Sequence, residues 1–104
     1  MPTSSVADVH VRHDAAVVRL HGEIDISTQD DLRAALLTAT ASASDLTVDL
    51  GDVAFIDWTG LALVLDAVRS VRDRGGAAVV TCPSVAVRRL LQLLDSEHLL
   101  AGSG

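Results

Sequence analysis

Asp57, Trp58 and Thr59 place a carboxylate, a large aromatic ring and a hydroxyl side by side, and Gly60 follows them. Asp and Thr both suit the start of a helix, where a short side-chain oxygen accepts a hydrogen bond from an otherwise unpaired backbone N–H. The ring of Trp58 has two readings, core filling or an exposed anchor of the kind that dominates binding interfaces. Acid–base catalysis would need carboxylates that converge, and the spacing of Asp25, Asp52 and Asp57 does not bring them together. His10 and His13 lack the spacing of a metal pair on one strand face, and no cysteine cluster supports them. Cys82, before Pro83, reads as a small buried hydrophobe with no nucleophile signature around it. The chain carries no P-loop and no dinucleotide fingerprint. These residues point to a binding protein and not to an enzyme, with no metal and no cofactor.

The elements that must position this stretch alternate in type. Val6–Arg12 reads as a half-buried strand with Val9 and Val11 on one face. A short turn, His13-Asp14-Ala15, leads into a second strand, Ala16–His21, and the two should pair as a hairpin. Gly22–Ile26 leads out of it. Ser27 is the expected cap of a first helix, with Asp30 three residues later as a weak capping box. Leu32, Ala35, Leu36 and Ala39 recur at helical spacing, and the Thr/Ala/Ser-rich stretch Thr38–Ser44 should end that helix. Asp45–Leu50 is a third strand, followed by a turn at Gly51-Asp52 and a short apolar run, Val53–Ile56. The second helix, about Gly60–Arg74, carries a wide apolar arc of Leu61, Val64, Leu65, Val68 and Val71, with Arg69 on its polar side, and stops at Gly75-Gly76. Ala77–Thr81 reads as a strand buried on both faces. Pro83-Ser84 opens a third helix with Val87, Leu90, Leu91 and Leu94 in one stripe. The order strand, strand, helix, strand, helix, strand, helix implies an α/β fold: a mixed four-stranded sheet with right-handed crossovers and three packed helices. The N-terminus of the second helix should lie rigidly at one edge of that sheet.

The totals narrow the function further. A chain of 104 residues makes one domain, 1–104, with one modest core. Its residues are 49% hydrophobic but 2% aromatic, so that core is aliphatic. The formal charge is −6, and the eight basic residues, all arginine, are scattered. Nucleic acid and anionic membrane surfaces both require clustered cations, and neither is an expected partner. No stretch approaches the ~20 apolar residues of a membrane span. One cysteine and an N-terminus without a secretory pattern suit a reducing cytoplasm.

Two segments carry a family resemblance. GEIDISTQDDLRAAL (Gly22–Leu36) and DLGDVAFIDWTGLALVL (Asp49–Leu65) resemble the corresponding motifs of STAS domains of the bacterial anti-sigma factor antagonist type. RGGAAVVTCPSVAVRRLLQLL is in keeping with the family's Gly-Gly, strand and Pro-then-helix order. The resemblance implies a partner-switching module that binds an anti-sigma factor with a kinase-type ATP-binding fold and so frees a sigma factor for transcription. It implies a binding and switch surface of Asp57, Trp58, Thr59 and Gly60, bordered by Glu23 and Asp25. Family members are switched off by phosphorylation of a Ser directly after the Asp, where added charge meets a helix N-terminus. Here that position is Trp58, which has no hydroxyl, and Thr59 is left as the alternative phosphoacceptor or as a capping hydroxyl. The family usually continues through another strand and helix. The resemblance therefore implies a fold lacking both, or a remnant of them at Leu99-Leu100-Ala101. A second function is a structural STAS subunit of a larger assembly, such as a stressosome-like scaffold or the cytosolic component of a lipid transporter. A homodimer is left open.

Overall fold

The structure is a computed structural model that describes residues 6–81, 84–94 and 96–99. Strand β1 (Ala7–Arg12) pairs antiparallel with β2 (Ala15–Ile24), and β3 (Asp45–Ile56) and β4 (Ala78–Thr81) follow in parallel, giving sheet order β1-β2-β3-β4. Helix α1 (Gln29–Ser42) links β2 to β3, and α2 (Trp58–Asp73) links β3 to β4. Both crossovers step in the same direction along the sheet, so right-handed connections place both helices on one face. There they touch each other as well as the strands. Helix α3 (Val85–Leu93) and a 3-10 turn (Glu97–Leu99) complete the described chain.

Register accounts for the core. Val9, Val18, Val48 and Val80 pair across all four strands and form one buried row. Leu32 and Leu36 of α1 and Leu61, Val64, Leu65 and Val68 of α2 cover it. The core is aliphatic throughout, and neither Phe55 nor Trp58 belongs to it. The opposite face of the sheet carries ion pairs, Arg19 with Asp49 at 3.6 Å and His21 with Asp8 at 3.8 Å.

Several local expectations give way. The Gly51-Asp52 turn is a bulge inside one continuous strand: Arg19 pairs with Asp49 but His21 with Asp52, so β3 carries an extra residue there. A second extra residue, Ala54, lies between the pairs Gly22–Val53 and Glu23–Phe55. Pairing with β2, which runs on to Ile24, outweighs the turn chemistry of Gly-Asp. The β1–β2 loop is tighter than expected, because His13 and Asp14 both take positive φ (53° and 72°) and close a two-residue turn. Val11 lies on the same strand face as Val9, opposite the buried Ala16, but near that turn it is exposed.

Thr28, not Ser27, stands before α1; the Ser27 hydroxyl is already committed to Asp25. The Thr/Ser-rich stretch continues α1 to Ser42, its buried face running on through Ala39, while the hydroxyls of Thr38 and Ser42 donate to the carbonyls of Ala34 and Thr38 within the helix. Strand β4 is an edge strand with Val79 and Thr81 half-buried, so it is not covered on both faces. Arg69 is exposed yet not idle: its guanidinium donates to the fully buried Ser96 at 2.6 Å and fastens the end of the described chain to α2. Leu99, expected in the start or a remnant of a further strand, is buried in the 3-10 turn; Leu100, Ala101 and Cys82 lie outside the described residues. No helix among the described residues is long and apolar enough to cross a membrane.

Candidate functional site

The parallel strands β2 and β3 end side by side. Ile24 pairs with Ile56, and the next N–H, of Asp57, donates to the Ile24 carbonyl at 3.1 Å. Asp57 thus leaves the sheet in a fixed, extended conformation, and its Oδ1 accepts the Gly60 N–H at 2.8 Å. That contact caps α2, whose first residue is Trp58. Gly60 is required by space: a Cβ there would sit 2.8 Å from Cγ2 of Ile24 and 3.2 Å from Cγ1 of Ile56. The helix start is therefore pressed against the paired isoleucines, and position 60 supports the surface from beneath without being part of it.

Trp58 points outward and keeps 52% of its surface exposed, so the core-filling reading does not hold. Thr59 is exposed as well, and its expected capping role falls to Asp57, because α2 begins at Trp58 and Thr59 is already inside its first turn. Its hydroxyl is consequently left facing solvent.

Glu23 and Asp25 reach the same edge. Glu23 pairs directly with Phe55 on the neighbouring strand, and Asp25 follows Ile24 at the sheet end. Asp25 organises the loop into α1. Its Oδ1 accepts from the Ser27 hydroxyl at 2.6 Å and from the Ser27 N–H at 2.9 Å, while its own N–H donates to Thr28 Oγ1 at 3.1 Å. The Ser27 hydroxyl, followed by the Ser27 N–H, holds the Asp25 carboxyl below the usual carboxylate range by favouring its charged form. Asp52 points out of the strand at the first bulge and does not complete a catalytic pair. Among the described residues no group of three or more His, Cys, Asp or Glu side chains gathers as a metal site.

Two further apolar side chains are exposed at this edge. Phe55, expected within an apolar strand run, and Ile26, expected in the lead-out from β2, are 54% and 84% exposed. A signal for Phe55 existed: the chain's only two aromatic residues flank Asp57 within four positions, while its core needs none. Phe55 lines a cleft of about 320 Å³ that runs toward α3, together with Val53, Ile56, Val87, Leu90 and Arg89.

A family model described as the STAS domain matches residues 6–101. The chain belongs to the STAS domain family. It is 31% identical over 88 residues to the anti-sigma-B factor antagonist of Bacillus subtilis (strain 168), covering 85% of this chain and 78% of that one. To the anti-sigma F factor antagonist of Lysinibacillus sphaericus it is 29% identical over 84 residues, 79% and 72% of the two chains. The solved structure of the anti-sigma factor antagonist SpoIIAA in its unphosphorylated form matches with a TM-score of 0.79 at 24% identity, over 94% of this chain and 88% of that one, a likeness of fold. The mixed four-stranded sheet and three helices expected from sequence are those of this STAS fold.

Proposed function

We propose that this STAS domain is an anti-sigma factor antagonist whose binding surface is the start of α2 and the β2–α1 loop beside it. The observation that carries the reading is the exposed Trp58 on a helix start fixed by Asp57, in a chain whose relatives are named as anti-sigma factor antagonists. The partner is an anti-sigma factor of kinase-type ATP-binding fold, and its capture releases a sigma factor for transcription. Asp57, Glu23 and Asp25 border the contact; Gly60 keeps the helix seated against Ile24 and Ile56. A rigid aromatic side chain held outward at such a position loses little conformational freedom on binding, which favours affinity.

Trp58 offers a kinase no oxygen, so the usual switch does not operate at position 58. Phosphorylation could act here only through a neighbouring hydroxyl, and Thr59 is exposed one residue on. We infer a binder that the kinase does not turn off. Incubation with the anti-sigma factor of the same organism and ATP, followed by intact-mass measurement, tests this. An unmodified mass with stable complex formation supports it. A phosphate mapped to Thr59, with loss of binding, would show instead that the switch has moved by one position.

A further inference from the structure

The cleft beside α3 opens where the sheet loses a strand. Strand β4 pairs with β3 only from Leu46 to Asp49 and ends at Thr81, while β3 runs on to Ile56. On the side away from β2, no described strand lies beside the last residues of β3. Their open edge forms one wall of the cleft and α3 forms the other. The second bulge sets what the strand wall presents. Simple alternation after Val53 would bury Phe55 and expose Ile56. The extra residue at Ala54 reverses this: Ile56 enters the core and Phe55 turns outward. Both still line the cleft, because it follows the edge of the strand and not one face of the sheet.

Among the described residues only two polar side chains line the cleft, Ser84 and Arg89, and both can donate hydrogen bonds. Ser84 Oγ accepts the Val87 N–H at 3.2 Å, which leaves its own proton to give. Arg89 has no acceptor among the described residues. Other arginines are committed: Arg19 and Arg33 to carboxylates, Arg69 to a hydroxyl, Arg72 and Arg74 to backbone carbonyls. No described carboxylate lines the cleft, in a chain whose net charge is −6. The separate groove between α1 and α2, of about 280 Å³, differs on this point. Its Arg33 already lies 3.7 Å from Asp30, and Asp66 forms part of its wall.

We propose that the cleft beside α3 binds a small monocarboxylate with an apolar body, its tail along Phe55, Ile56 and Leu90 and its carboxylate on Arg89 and the Ser84 hydroxyl. A guanidinium matches a carboxylate with two parallel hydrogen bonds, and an apolar lining with a few convergent donors is the usual make-up of a ligand site. At about 30 Å³ for each water-sized group, 320 Å³ takes roughly ten non-hydrogen atoms, the size of octanoate. Such binding is a property of the isolated chain and does not depend on the anti-sigma reading. Its test is NMR titration of the labelled chain with sodium octanoate, with 1-octanol and acetate in parallel. Octanoate is expected to shift the signals of Val53, Ile56, Val87 and Leu90 saturably, and to bind at least tenfold more tightly than 1-octanol or acetate. Arg89→Gln is expected to weaken octanoate binding at least tenfold, with 1-octanol binding and melting temperature unchanged. Arg88→Gln, next to it on α3 but outside the cleft wall, is expected to bind octanoate as wild type. Shifts that do not saturate, or that centre on Leu37 and Leu63 in the other groove, would overturn the proposal. Equal losses in Arg89→Gln and Arg88→Gln would reduce it to a general attraction of α3 for anions. Equal affinity for 1-octanol and octanoate would reduce it to apolar adsorption, and either result contradicts a carboxylate site.

Discussion

The two ends of the parallel strands are built differently. At the amino ends, loops are tied to one another by hydrogen bonds across long stretches of sequence. The Asp14 carbonyl accepts from the N–H groups of Ser44 and Asp45, Asp45 Oδ1 accepts the Ala77 N–H at 2.9 Å, and Arg74 donates to the carbonyls of Thr40 and Ala43. Gly75, at φ 91°, turns the chain out of α2, and Gly76 passes so close to Ser44 that a Cβ would sit 2.1 Å from its carbonyl oxygen. At the carboxyl ends the side-chain bonds are local: Asp57 caps its own helix, Asp25 its own loop and Ser84 its own helix, and the Asp57 N–H to Ile24 carbonyl bond extends the pairing of β2 and β3. That arrangement leaves Ile26, Phe55 and Trp58 uncovered. One end spends its polar groups on joining elements, while the other spends them on holding apolar side chains out. The carboxyl ends of an open α/β sheet are also where ligands of such folds generally bind.

This contrast is broken most severely at the amino end. Gly76→Ala should cost about 3 kcal/mol of stability, because the Ser44 backbone must move to admit the new methyl group. Urea unfolding checks this, and the folded fraction should still bind the anti-sigma factor. Trp58→Ala should do the reverse, costing about 2 kcal/mol of binding in titration while leaving the urea midpoint nearly unchanged. Asp57→Ala joins the two effects. Loss of the cap should lower stability by about 1 kcal/mol, and the loosened helix start should weaken binding as well.

The smallest effect concerns pH. The Asp25 carboxyl is held below its ordinary range in the folded loop, so its contribution is complete above the unfolded value of 3.8 and is lost as pH falls through the lower folded value. An NMR titration should show the Ser27 amide shifting only at that acidic end. In Ser27→Ala the carboxyl should titrate nearer its ordinary value.

The order of elements along the chain and the helix faces were legible because the apolar spacing is regular where side chains meet one core. Leu61, Val64, Leu65, Val68 and Val71 form the buried arc of α2 that their spacing predicts. Legibility failed wherever backbone pairing overrode local chemistry. Gly51-Asp52 has the residues of a turn, but β2 continues alongside and converts it to a bulge. Phe55 was hidden by the second bulge, which sequence alternation cannot register. Thr59 and Asp57 are comparable caps by residue type; only the position of the helix start decides between them. Arg69 lies on the polar side of α2 as its spacing implies, yet its bond to Ser96 depends on a turn 27 residues away.

Hydrogen–deuterium exchange on this chain, alone and in complex with the anti-sigma factor of its organism, addresses the division between the two ends most directly. The account predicts added protection over 23–28 and 55–60, with exchange at 13–15, 43–45 and 74–77 unchanged. Protection confined to the amino-end loops, or to the groove between α1 and α2, would contradict it.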